Sequence, residues 1–245
     1  MPQLARNHED AKDDRSHEVK ILLLPTNTVD WDLRTATGEP VPKKFLVASL
    51  VAWALSPPDA VTAGARGWLA RLDGHDTGLR TSKWFELAWD DLFHGAGAMQ
   101  IDRYARSFPS SGHEIVRTPS EVLREPPANP LEAALLLAAL KSAAGLPERL
   151  VLVAQAPPGQ PAGFILAWRA RERWRAVDMS QAALRFAQNE RAASDLAARL
   201  LADPGLLGGL DDTGVFLDSA RMLCALDFRK AKEKYFIRPL PSAPS

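Results

Sequence analysis

The sequence predicts an α+β protein built around one fully enclosed helix. Residues 130–144 are apolar almost all round, broken only by Glu132, Lys141 and Ser142, as in a helix buried on every side. Residues 149–154, 164–170 and 174–177 form short β-rich runs separated by turn formers, which read as successive antiparallel strands. Helical patterns precede and follow this block. An order of helices, central helix, strands and trailing helices belongs to the α+β class.

Taken along the chain, residues 1–17 are charged with little apolar content and read as a disordered tail. One domain is expected over 18–238, with helical extensions at both ends, and 239–245 as a frayed end. Residues 19–24 are an apolar run stopped by Pro25, a first strand. Residues 43–55 read as a buried helix closed by Pro57 and Pro58, and 59–72 as a second helix closed by Gly74. Trp84, Phe85, Ala88, Trp89, Leu92 and Phe93 recur at helical spacing, with Thr81 or Ser82 as cap and Gly95 as stop. Residues 99–106 read as a short helix and 114–117 as extended. Thr118, with Pro119 and Glu121 after it, is a capping box for a helix to Arg124 that Pro126 and Pro127 break.

Asn129 then caps the central helix, Pro130 suits its first position, Glu132 completes a second box, and Gly145 and Pro147 end it. A Pro/Gly loop spans 155–163 and a polar turn 171–173. Asp178 and Gln181 read as a capping box opening a helix over 181–203, with Leu184, Phe186, Ala193, Leu196 and Leu200 inward. Residues 205–214 read as a loop, 216–228 as a last helix and 235–237 as a closing strand.

Composition excludes several classes. Thirty basic and thirty acidic residues in 245 leave no net charge, so a general nucleic-acid footprint is missing. A single cysteine cannot build a disulfide framework and suits a reducing compartment. The polar N-terminus lacks a secretory core and the apolar runs are too short to span a bilayer, so a cytoplasmic protein without membrane contact is expected. The five histidines (His8, His17, His75, His94, His113) follow no ligand spacing, and Gly205, Gly208 and Gly209 open no phosphate-binding helix, so no metal and no cofactor is expected.

One segment carries more. The run from Arg117 through Thr118, Pro119 and Glu121 leads into the buried helix, which stops at Ala144, Gly145, Leu146 and Pro147. The strand with Leu166, Ala167 and Trp168 follows, then Trp174, Val177 and Asp178. Over residues 114–180 this resembles the core of bacterial transglutaminase-like proteins of the papain-like fold. The resemblance implies a central buried helix packed on an antiparallel sheet, with additional flanking helices. It also implies a Cys–His–Asp triad, whose positions are Pro130, Leu166 and Asp178 here. Proline offers no nucleophile and leucine no base, so acyl transfer cannot run on them.

The expectation is therefore a pseudoenzyme: a catalytically inactive protein-binding scaffold or assembly subunit, with a protein partner or a second copy as ligand. Its candidate cleft is Pro130, Leu131, Leu166, Trp168, Trp174, Asp178 and His113. The alternative is a hydrolase or transferase reusing the cleft with Cys224, His113 or Asp178. A nucleic-acid scaffold ranks last because of the balanced charge. Bland readings stand beside these: Asp178 as a helix cap, Cys224 as a core thiol, and the seven tryptophans mostly as core.

Overall fold

A computed structural model describes residues 28–35, 37–55, 59–73, 76–102, 113–156 and 163–240. The elements run in chain order as β1 (Thr28–Asp30), α1 (Lys43–Ser49), α2 (Val51–Ala54), α3 (Asp59–Ala70), α4 (Thr77–His94) and β2 (His113–Ile115). Next come α5 (Pro119–Arg124), α6 (Pro130–Ala143), β3 (Leu150–Gln155), β4 (Gly163–Ala170) and β5 (Arg173–Asp178). A 3-10 turn (Met179–Gln181) leads to α7 (Phe186–Leu200), α8 (Pro204–Thr213), β6 (Val215–Asp218), β7 (Leu223–Asp227) and α9 (Phe228–Tyr235). The expected tail over 1–17, the strand over 19–24, the centre of the 155–163 loop and the end from 241 lie outside the described residues.

The class is α+β: an antiparallel five-stranded sheet in the order β5-β4-β3-β7-β6, with helices on both faces, while β1 and β2 pair separately. Alternation along the strands sorts the side chains. Leu150, Leu152 and Ala154 of β3, Leu166 and Trp168 of β4, and Cys224 and Leu226 of β7 join the core shared with α6. Val151, Val153, Ile165, Ala167 and Ala225 join a second core under α7 and α8. With both faces covered, β3 is apolar without alternation, for the reason that doubly covered parallel strands are.

Both capping boxes form. Thr118 Oγ1 accepts from Glu121 N at 3.3 Å, and Asn129 Oδ1 accepts from Glu132 N at 2.8 Å. Every residue of α6 from Pro130 to Lys141 is buried. It packs against α2, α3 and α5 as well as β4, which is what an apolar circumference requires.

The chain departs from the sequence reading mostly after residue 180. Residues 205–214, expected as a loop, form α8. Asp203 caps it through Gly205 N at 2.9 Å, Pro204 takes the first position, and Leu206 and Leu210 bury one turn apart. Residues 216–228, expected as a helix, are the β6–β7 hairpin followed by the start of α9. Its apolar run satisfies a two-sided strand as well as a buried helix, and periodicity cannot separate them. Residues 235–237 close α9 with Phe236 left-handed (φ 52°) instead of forming a strand. The helix expected over 181–203 begins only at Phe186, and Leu184 stays outside the core. The 43–55 helix breaks at Leu50, and α4 starts ahead of Thr81, which is buried within it. Residues 99–102 run extended, Ile101 bridging Ala128, while 103–106 lie outside the described residues. No described helix is long and apolar enough to cross a membrane.

Gly214 closes α8 with φ 77°, and a Cβ there would meet Ala231 N at 2.3 Å. Gly214→Ala should therefore lower urea-unfolding stability by ~2–4 kcal/mol, combining left-handed strain with overpacking. Gly38→Ala, with φ 83° but no atom within 4 Å, should show the strain alone.

Candidate functional site

The N-terminal end of α6 is organised by one buried ion pair. Glu132 is 3% exposed, and Arg117 reaches it from the segment after β2, with Nε 3.0 Å from Oε1 and Nη2 2.7 Å from Oε2. The carboxylate also accepts Arg117 N and Asn129 N, each at 3.0 Å. The guanidinium donates in addition to Pro127 O at 2.5 Å and to Glu125 O. Hydrogen bonding to Glu132 raises the Arg117 pKa against the opposing effect of burial. The positive end of the helix dipole is thus answered by a carboxylate from within the helix.

The positions that the resemblance compares with a triad lie on two sides of the sheet. Pro130 begins α6 and is buried; Leu131 is 1% exposed, and Leu166 and Trp168 are fully enclosed. Trp168 stacks on Phe85 of α4 at 4.1 Å and donates to Ser82 Oγ at 3.1 Å. The expected cleft floor is therefore closed, because helices from the N-terminal half fill the space over β4. Asp178 pairs with Ile165 and, by alternation along β5, belongs to the face of Ala176 and not to that of Val177 and Leu166.

Asp178 is spent locally, its Oδ1 accepting Ser180 N at 2.9 Å and its Oδ2 accepting Gln181 Nε2 at 2.7 Å. It caps the 3-10 turn, whereas the sequence reading has it opening the long helix, whose N-cap is Arg185. Trp174 is half-buried on the α7 face between Arg149 and Arg169, whose guanidinium carbons lie 5.9 and 5.4 Å from its ring. His113 belongs to β2, its backbone paired with Asp30, far in sequence from the hairpin.

The other proposed reactive groups are equally separated. Cys224 is 2% exposed on β7, and burial pushes its thiol pKa well up, the reverse of what a thiolate nucleophile needs. Strands β4 and β3 separate β7 from β5, three spacings of ~4.8 Å or about 14 Å. The tryptophans serve as core: Trp84 and Trp89 are fully buried, donating to Ala65 O at 3.2 Å and Leu184 O at 3.0 Å. The chain matches no protein-family model, no curated protein and no solved structure.

The far end of α6 carries a group that pattern reading passed over. Lys141 is 4% exposed and donates to Leu146 O at 2.6 Å and Glu148 O at 2.8 Å, tying down the turn into β3. Burial lowers its pKa from 10.5 to about 8; Glu148 acts against that shift and Arg229 adds to it. The signal was present in the sequence. A charge that interrupts an all-round apolar helix must find partners once buried.

Two expectations follow. Removing Glu132 strands the Arg117 charge, so Glu132→Leu should cost ~3–5 kcal/mol in denaturant unfolding. Glu132→Gln, which keeps an acceptor for Asn129 N, should cost less. For Lys141 the unfolded chain holds the proton up to its ordinary pKa, whereas the folded chain releases it near 8. Stability should rise with pH between about 8 and 10.5, by at most ~3 kcal/mol. Subtracting the Lys141→Met curve from the wild-type curve isolates that rise, and a flat difference would assign the ammonium no cost of burial.

Proposed function

We propose that this chain is a transglutaminase-like protein that has abandoned acyl transfer and acts without catalysis, as a protein-binding scaffold or assembly subunit. One observation carries the reading: Pro130 and Leu166, matched to the nucleophile and the base, have neither chemistry and are sealed in the core. A capped, buried helix packed on β4, the strand that bears Leu166, supports the family part of the reading, while Asp178 on the opposite face speaks against it. Reuse of the old cleft by Cys224 or Asp178 is disfavoured by their separation across the sheet.

The partner surface cannot be the closed cleft or the buried Trp84 and Trp89. We place it at the end of α9, where Phe236 is 87% exposed and so available as an aromatic anchor. The test has two arms. Purified protein should show no turnover of amine-donor or peptide substrates, and Cys224→Ser should change nothing. The wild-type chain should capture a partner from its native cell, and Phe236→Asp, a surface change, should lose it. Turnover abolished in Cys224→Ser would restore the enzyme reading, and capture unaffected by Phe236→Asp would move the interface elsewhere.

A further inference from the structure

A cavity of about 250 Å³ lies between α2, the C-terminal half of α6, the turn into β3 and α9. Its walls are mainly apolar, with Val51 and Leu55 from α2 and Phe228 from α9 among them. Four charged residues also line it: Lys141, Glu148, Arg229 and Lys232. Such a space falls just short of the ~300–1,000 Å³ of pockets for drug-sized ligands, which suits a single small metabolite.

The polar groups are incompletely used. An ammonium has three donors, and Lys141 spends two on Leu146 O and Glu148 O. Glu148 Oε2 is buried with no hydrogen-bond partner, a loss that folded proteins rarely leave standing. Arg229 and Lys232, three residues apart on α9, face the cavity with their ends in solvent, and neither forms an ion pair among the described residues. The site therefore offers two cations outside any ion pair among the described residues, one carboxylate residue, Glu148, and an apolar wall.

We propose that this cavity binds a free α-amino acid with an apolar side chain. The ligand carboxylate meets Arg229 and Lys232, its ammonium meets the carboxylate of Glu148, and its side chain rests on Val51, Leu55 and Phe228. A simple fatty anion would leave Glu148 without a cationic partner from the ligand, and a simple amine would face three cations. Only a zwitterion answers both halves of the charge pattern. The site lies at the opposite end of α6 from the vestigial triad and does not rest on the scaffold reading.

Calorimetric titration with three probes tests this: L-leucine, 4-methylpentanoate (carboxylate without ammonium) and 3-methylbutylamine (ammonium without carboxylate). L-leucine should bind saturably, and each truncated probe at least about tenfold more weakly. The surface substitution Arg229→Gln with Lys232→Gln should weaken L-leucine by about tenfold or more while leaving thermal unfolding of the free protein close to wild type. Glu148→Gln should bring L-leucine down to the level of 4-methylpentanoate. No saturable binding of L-leucine up to on the order of 10 mM overturns the proposal. So does equal affinity for L-leucine and 4-methylpentanoate, or L-leucine binding that the Arg229/Lys232 change leaves intact.

Discussion

Helix α6 can be apolar on every side only if neighbours cover its whole circumference, and the rest of the molecule is arranged to do so. α2, α3, α5 and β4 all pack against it. A helix so enclosed has two problems at its ends: its first N–H groups and last carbonyls need partners where water is scarce. Asn129 and Glu132 solve the first, with Arg117 neutralising the carboxylate; Lys141 reaches past the helix end to hold the following turn. Two charges are therefore buried in the most apolar segment of the chain. Each is retained because it ties a terminus to a loop that would otherwise be free to move.

Covering the sheet on both faces has a chemical consequence. A cleft enzyme needs its nucleophile helix and its base strand to meet at an accessible edge. Here Leu166 and Trp168 are roofed by α4 through the Phe85 stack, and the strand neighbour Asp178 turns to the other face and caps a 3-10 turn. The apolar side chain at position 166 and the closure of the roof over it support each other. A histidine at position 166 would be buried without a partner, whereas leucine contributes roughly 1.5–3 kcal/mol there by burial alone. At the other end of α6 a cavity joins an apolar wall to Lys141, Glu148, Arg229 and Lys232.

The part of the chain before residue 180 is largely legible because its signals are local. Caps such as Asn129 with Glu132, prolines at first helical positions, and the two-residue turn that Arg171 enters at φ 52° all act within a few residues. After residue 180 the structure departs from local reasoning repeatedly, and two of the departures change the type of a whole element. Glycines 205, 208 and 209 drew the eye to a loop, though Asp203 followed by Pro204 was a helix start with Leu206 and Leu210 at its inner face. The run from Leu223 to Leu226 is apolar throughout because β7 is covered on both sides, and nothing in its spacing excludes a helix.

By itself, then, the sequence determined the α+β class, the buried and capped central helix, the hairpin after it, and the lack of nucleophile and base at the positions it compares with a triad. Those depend on residue type and short-range geometry. The tertiary structure decided what long-range contacts decide: which face each strand residue joins, that the cleft is closed, that Trp84 and Trp89 are core, and that Arg117 belongs to Glu132. It also placed Lys141 and Glu148 beside Arg229 and Lys232, some 80 residues later in the chain. No local rule relates residues so far apart, because their meeting is set by α9 folding back over β3 and β7.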